Sequence, residues 1–158
     1  MLWCAQKTFF NETERRELNL KMIDFENPAN NVYHVTDEYY FRNNKFGNRE
    51  DVVFLINGLP VIVVECKGAN KDEAIALGID QIRRYHRETP EMLVPEQIFT
   101  VTESLGFSYG VTWSLSRRNI FNWKSEETGN LEQKVKTFFE KERILDYVKN
   151  YIFFAEKN

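Results

Sequence analysis

Two carboxylates and one lysine carry the most specific chemical signal in the sequence. Asp51 opens one apolar run, Asp51-Val-Val-Phe-Leu-Ile56, and Glu65 and Lys67 close a second, Pro60-Val-Ile-Val-Val-Glu-Cys-Lys67. Two residues apart on an extended strand, Glu65 and Lys67 leave the same face. Glu and Lys are seldom buried unless they are paired or bind a metal, so a polar end to a core strand needs a reason. The Asp51 and Glu65 carboxylates and the backbone carbonyl of Cys66 form a hard oxygen set suited to Mg2+. Such a cation polarises a phosphodiester and lowers the pKa of a bound water. The Lys67 ammonium would orient that water or offset charge developing on phosphorus. The reaction class is metal-assisted phosphodiester hydrolysis. On spacing alone, an Asp with a Glu-x-Lys describes a solvated strand edge better, and only the apolar run leading into Glu65 makes the two readings equal.

Hairpin register decides between the two. Asn57-Gly58, between the runs, is a strong turn signal. A two-residue turn pairs Ile56 with Leu59 and Asp51 with Val64, which puts Asp51 and Glu65 on opposite faces. A three-residue loop pairs Leu55 with Leu59 and sets Asp51 opposite Val63, diagonal to Glu65 on one face. A shared metal therefore requires an odd loop or a bulge in this hairpin.

The elements that must position these groups follow from periodicity. The two runs are nearly apolar on both faces, as in the middle of a sheet covered on both sides. Lys71 to Arg87 switches to helical spacing, with Ala74, Leu77, Gly78, Gln81, Ile82 and Tyr85 on one face, and Thr89-Pro90 ends it. Gln81 in that face needs hydrogen-bond partners, which the carboxylate end of the hairpin can offer. Asn11 or Thr13 opens a short exposed helix, and Leu18 to Phe25 and Val32 to Phe41 read as strands. Gln97 to Thr102 and Phe107 to Trp113 are two further strands, and Leu131 to Phe154 is one long helix or two short ones. The order α-β-β-β-β-α-β-β-α is an α/β domain with a mixed sheet.

Composition bounds the remaining classes. The 158 residues are 42% hydrophobic and 28% charged, with 13 Phe, 7 Tyr and 3 Trp, enough for one domain with a core. Seven Gly and four Pro exclude a disordered or collagen-like chain. No apolar run reaches the roughly 18 residues of a membrane span, and the first residues turn polar too soon for a secretory signal. Two cysteines, Cys4 and Cys66, point to a reducing compartment, hence a cytoplasmic protein without a membrane partner. A formal net charge of −3 is unlike a protein that coats DNA unaided, so any DNA affinity rests on local patches or a larger assembly.

The pattern Asp51…Glu65-Cys66-Lys67 followed by Gln81-x-x-x-Tyr85 resembles the PD-(D/E)XK nuclease superfamily, in its branch with a Q-x-x-x-Y motif. Ile23-Asp-Phe-Glu-Asn-Pro-Ala-Asn-Asn31, Asp51 to Pro60 and Gly110-Val-Thr…Phe121-Asn-Trp-Lys124 are similar to the amino-terminal nuclease domain of type I restriction enzyme R subunits. The resemblance implies a restriction-endonuclease-like mixed sheet flanked by helices, with residues 1–158 as one nuclease domain of a longer subunit. It implies Mg2+ held by Asp51 and Glu65, Lys67 as the catalytic lysine, and Gln81 and Tyr85 as the auxiliary motif. Double-stranded DNA and the methyltransferase and specificity subunits are the implied partners. ATP enters only through a motor segment, since this chain has no G-x-x-x-x-G-K-[ST] loop. Glu50 stands where the family usually has a proline, and Glu14 or Glu17 is a candidate for an additional amino-terminal site glutamate.

Further residues extend this expectation. Arg83, Arg84 and Arg87, with His86, cluster on the Gln–Tyr helix as candidate phosphate contacts. Arg117, Arg118 and Lys124 near Phe121 and Trp123 are a second basic cluster. Cys66 is expected to be a small buried hydrophobe. Phe138, Phe139, Tyr147, Tyr151, Phe153 and Phe154 read mainly as core. The rival reading is a catalytically silent module that keeps the nuclease fold for docking or for positioning DNA.

Overall fold

Turns and side-chain knots decide where this chain reverses. The computed structural model describes residues 7–68, 73–103, 106–123 and 130–151. It begins with a hairpin rather than a helix: β1 (Lys7–Asn11) and β2 (Arg16–Leu20) form a separate two-stranded sheet. Asn11 Oδ1 accepts from the amides of Thr13 and Glu14 at 2.9 and 3.1 Å, and Arg15 takes a φ of 52°. The same side-chain chemistry that caps a helix here closes a turn, which is why the expected helix is absent. The strand expected to run to Phe25 stops at Leu20. Beyond it Asp24 ties the loop together, accepting from the amides of Glu26 and Asn27 and pairing with Lys21.

The main sheet has six strands in chain order: β3 (Tyr33–Arg42), β4 (Gly47–Ile56), β5 (Leu59–Lys67), β6 (Ile98–Glu103), β7 (Gly106–Val111) and β8 (Phe121–Asn122). All neighbours are antiparallel except β5 and β6, whose parallel pairing needs a crossover. Helix α1 (Ala74–Glu88) supplies it. The result is the α/β, restriction-endonuclease-like mixed sheet flanked by helices that the sequence implies.

Each face of the sheet has its own core. On one, Val63, Phe99 and Val101 pack against Ile79, Ile82 and Tyr85 of α1, all of them buried. Leu77, expected in that face, is 40% exposed, and Ile79 takes its place. The rotation follows from Gly78, the point of closest approach, where an added Cβ would collide with Val101 Cγ2. The other face is covered by α2 (Leu131–Phe138) and α3 (Lys141–Asp146), after which Tyr147–Tyr151 forms a wide last turn. Phe138 is fully buried amid the rings of Phe107, Tyr109, Trp123, Phe139 and Tyr147. Of the expected aromatic stripe, Tyr151 is 66% exposed, and Phe153 and Phe154 lie outside the described residues. Among the described residues no helix is long and apolar enough to cross a membrane.

The β4–β5 connection sets the register on which the site depends. Asn57 and Gly58, with φ of 53° and 82°, form a two-residue turn that pairs Ile56 with Leu59 and Leu55 with Pro60. The register then shifts: Phe54 pairs with Ile62, Val53 with Val63 and Val52 with Val64. Val61 is the extra residue of a bulge on β5, and its carbonyl accepts from the Gln97 amide at 2.9 Å. The ladder ends at Val52–Val64, and one residue further the Asp51 carboxylate reaches β5 at the Cys66 amide, beside Glu65.

Gly78→Ala tests how the helix is spaced from the sheet. Alanine should gain up to about 1 kcal/mol of helix propensity. Overpacking against the stiff, β-branched Val101 costs about 1–3 kcal/mol. The expected net result is a lower melting temperature, read by calorimetry, and a rise would show that the helix has room to spare.

Candidate active site

The carboxylate end of β5 emerges where β4, β5 and α1 meet. Asp51 accepts the Cys66 amide hydrogen bond on Oδ2 at 2.8 Å, so its carboxylate is drawn across to β5. Glu65 is fully buried. Lys67 Nζ donates to Glu65 Oε2 at 2.9 Å and to Gln81 Oε1 at 2.6 Å, leaving one of its three donors unspent among the described residues. Gln81 Nε2 donates to the Tyr85 hydroxyl at 2.7 Å, and that hydroxyl lies 2.8 Å from the Arg49 carbonyl and 3.1 Å from Glu65 Oε1. The i, i+4 spacing on α1 lets Gln81 bond its own neighbour while reaching the lysine. Both ends of the Gln81 amide are engaged, so its orientation is fixed.

Burial dominates the electrostatics. Loss of solvent raises the Glu65 carboxyl from 4.5 to about 7. Lys67 opposes the rise, and the Asp51 charge adds to it. Burial also pushes the Tyr85 phenol up, with Glu65 beside it, so the phenol stays protonated and serves as a hydrogen-bonding group. A buried carboxyl held near neutrality beside a second carboxylate is short of positive charge.

These groups fit a hard cation. Asp51, Glu65 and the Cys66 carbonyl can supply its oxygens, and Mg2+ ordinarily keeps several waters besides its protein ligands. Among the described residues no group of three or more His, Cys, Asp or Glu is arranged to hold a metal ion, so two carboxylates are the limit of the acidic donor set.

The structure thus brings Asp51, Glu65, Lys67, Gln81 and Tyr85 together. Other expected residues lie elsewhere. Glu14 is exposed and bonded to Arg16 on the separate hairpin, and Glu17 is exposed on β2. Cys66 is exposed rather than buried, because the apolar cluster on its face reaches no further along β5 than Ile62. Arg83 pairs with Asp80 and donates to the Leu115 carbonyl, while Arg84 lies 3.8 Å from Glu88 and over the Tyr85 ring. Arg87 is exposed. Lys124 lies outside the described residues, and the cation over Trp123 is Arg143. A cavity of about 670 Å3 is lined by Tyr109, Trp113, Phe121, Trp123, Tyr147 and Tyr151, and among the described residues no carboxylate, lysine or histidine lines it.

One pair was not foreseen. Glu50 and Glu96 are both fully buried, and none of their carboxyl oxygens has a donor from another residue. The two carboxyls act on each other, and like charges so removed from water disfavour joint ionisation. Burial is the main cause of the rise in both, and the Glu50 charge raises Glu96 further. Sequence offered a single hint, the glutamate standing where a proline is usual.

These carboxyls give the fold a pH dependence of definite sign. A carboxyl whose pKa is raised by folding contributes stability that is complete below its unfolded pKa and is lost as pH rises through the folded value. For Glu65 the window is pH 4.5 to about 7. The metal-free protein should therefore melt at progressively lower temperature across that window, with Glu65→Gln flattening the decline. A melting temperature that climbs across the same window would contradict the burial of these groups.

Comparison with known proteins identifies a family. The family described as type I restriction enzyme R protein N terminus matches residues 5–118. The type I restriction enzyme EcoprrI endonuclease subunit of Escherichia coli is 29% identical over 147 residues, covering 86% of this chain and 46% of that protein. A Methanocaldococcus jannaschii protein with a provisional name, type I restriction enzyme MjaVIIIP endonuclease subunit, is 29% identical over 143 residues, covering 87% of this chain and 14% of its own. The type I restriction enzyme HindI endonuclease subunit of Haemophilus influenzae is 24% identical over 147 residues, covering 85% and 14%. The chain spans less than half the length of these relatives. The match over most of its length, carrying the β4–β5 hairpin and the Gln81–Tyr85 helix, shows that the chain belongs to the type I restriction enzyme R protein amino-terminal family.

Proposed function

We propose that residues 1–158 form the DNA-cleaving domain of a type I restriction enzyme R subunit, an endonuclease that hydrolyses phosphodiester bonds of duplex DNA. The observation that carries this reading is the hydrogen-bonded series Glu65–Lys67–Gln81–Tyr85 beside Asp51, in a chain of this family. Asp51, Glu65 and the Cys66 carbonyl would hold Mg2+, which when bound polarises the phosphodiester and makes a water more acidic. Glu65 and Gln81 hold the Lys67 ammonium in place, and its unspent donor is available to a water or a phosphoryl oxygen. Tyr85 keeps Gln81 and Glu65 in register through a hydroxyl that does not ionise.

Arg83, Arg84 and Arg87 on α1 would meet DNA phosphates. The net charge of −3 suits a domain whose grip on DNA comes from a cytoplasmic assembly. In that assembly the motor segment uses ATP, and the methyltransferase and specificity subunits choose the locus. A second reading, a catalytically silent docking or DNA-positioning module, is favoured by the small acidic donor set.

Plasmid cleavage in Mg2+ or Mn2+ separates them. Lys67→Ala should reduce cleavage by about a hundredfold or more, the scale for loss of one electrostatic stabiliser, with the fold retained by circular dichroism. Cleavage that survives the substitution would remove Lys67 from the chemistry. No cleavage by the unsubstituted chain, together with no Mn2+ located at Asp51 and Glu65 by anomalous scattering, would establish the silent module.

A further inference from the structure

We propose that Arg49 is a DNA-phosphate contact at the edge of the active centre, held ready by Glu38, which a phosphodiester displaces. The inference rests on the nuclease reading and adds a residue to it. In the β3–β4 ladder Asp37 pairs with Val52 and Tyr39 with Glu50, which leaves Glu38 opposite Asp51 on an unpaired rung. Glu38 takes a φ of 50° there, a left-handed conformation that residues with a Cβ rarely adopt. Its carboxylate accepts from Arg49 at 2.9 Å, although the two side chains are 68% and 59% exposed. An ion pair so open to water adds little to stability, so fold stability alone does not account for an uncommon backbone conformation there.

The backbone of Arg49 is fixed more firmly than its side chain. Its carbonyl accepts from the Tyr85 hydroxyl, the same hydroxyl that lies 3.1 Å from Glu65. Arg49 and Asp51 flank the fully buried Glu50, so alternation sends both to the more open side of β4. The guanidinium is a planar five-donor fork suited to phosphate oxygens, and Glu38 engages only one of its nitrogens by hydrogen bond. Among the described residues, Glu65 and Gln81 take two of the three Lys67 donors, Arg83 is paired with Asp80, and the Asp51 carboxylate repels a polyanion. Arg49, two residues from Asp51 on β4, offers an exposed positive group to a DNA strand reaching Asp51, and exchanging the Glu38 carboxylate for a phosphate keeps the fork satisfied throughout.

Binding of a fluorescent duplex to the full chain without divalent cation, followed by anisotropy across a salt series, isolates this contact from cleavage. Arg49→Ala should weaken binding by about fivefold and lower the slope of log affinity against log salt by about one contact. Arg49→Lys, which keeps the charge without the fork, should fall between. Glu38→Gln should act in the opposite direction, tightening binding by about two- to fivefold, the range of an exposed ion pair. All three should melt close to the unsubstituted protein. If the chain binds duplex DNA and Lys67→Ala stops cleavage, yet Arg49→Ala leaves the salt slope unchanged or Glu38→Gln weakens binding, this inference fails alone. If the unsubstituted chain binds no duplex DNA, this inference fails, and the nuclease reading is judged separately by the loss of cleavage in Lys67→Ala.

Discussion

One surplus residue in a β-ladder governs the arrangement of this protein. A strand alternates its side chains with a period of two, so a slip of one residue exchanges the inner and outer faces. The Asn57-Gly58 turn by itself would set Asp51 and Glu65 back to back. Val61, bulged out of the pairing between β4 and β5, moves the register by that single step. Gln97 caps the bulge from the chain entering β6, so a neighbouring strand bonds the irregularity directly. Everything at the carboxylate end, from the Asp51–Cys66 hydrogen bond to the reach of Lys67, presupposes this shift.

The second constraint is the scarcity of positive charge in the interior. Glu65, Glu50 and Glu96 are all removed from water, with Asp51 close by. Lys67 is the cation bonded to Glu65. The protein manages the rest with a hydrogen bond and with burial itself: Tyr85 stands against Glu65, and loss of solvent favours the neutral forms of Glu50 and Glu96. A buried arrangement this rich in acid is costly to keep in apo form and is complementary to a positive guest.

Much of this was legible beforehand, for identifiable reasons. The central strands declared themselves through long apolar runs, the crossover helix through its period and Thr89-Pro90, and the Glu65, Lys67, Gln81, Tyr85 grouping through strand and helix spacing. The need for a bulge followed from register alone, although its place did not, because Val61 is an apolar residue like its neighbours. The amino-terminal hairpin was misread because an Asn side-chain oxygen caps helix ends and tight turns with the same bonds. Cys66 was misjudged because strand periodicity gives a side chain's face without saying how far the opposing core extends. The Glu50–Glu96 pair joins residues 46 positions apart, and no local pattern announces such a meeting.

The close approach of α1 to β6 has an evolutionary consequence. Gly78 leaves no volume of its own, and Val101 fills the space its Cβ would occupy. The two positions act as one shared volume, so divergence at either is constrained by the other: a side chain can arise at 78 only where 101 has already shrunk. Three residues along the same helix stands Gln81, and a further four Tyr85. Drift in an apolar contact with no chemistry of its own would thus be transmitted to the polar groups around Lys67. Among descendants of this chain, the pair at 78 and 101 should change together or not at all, a record of helix height written in residues that touch no ligand.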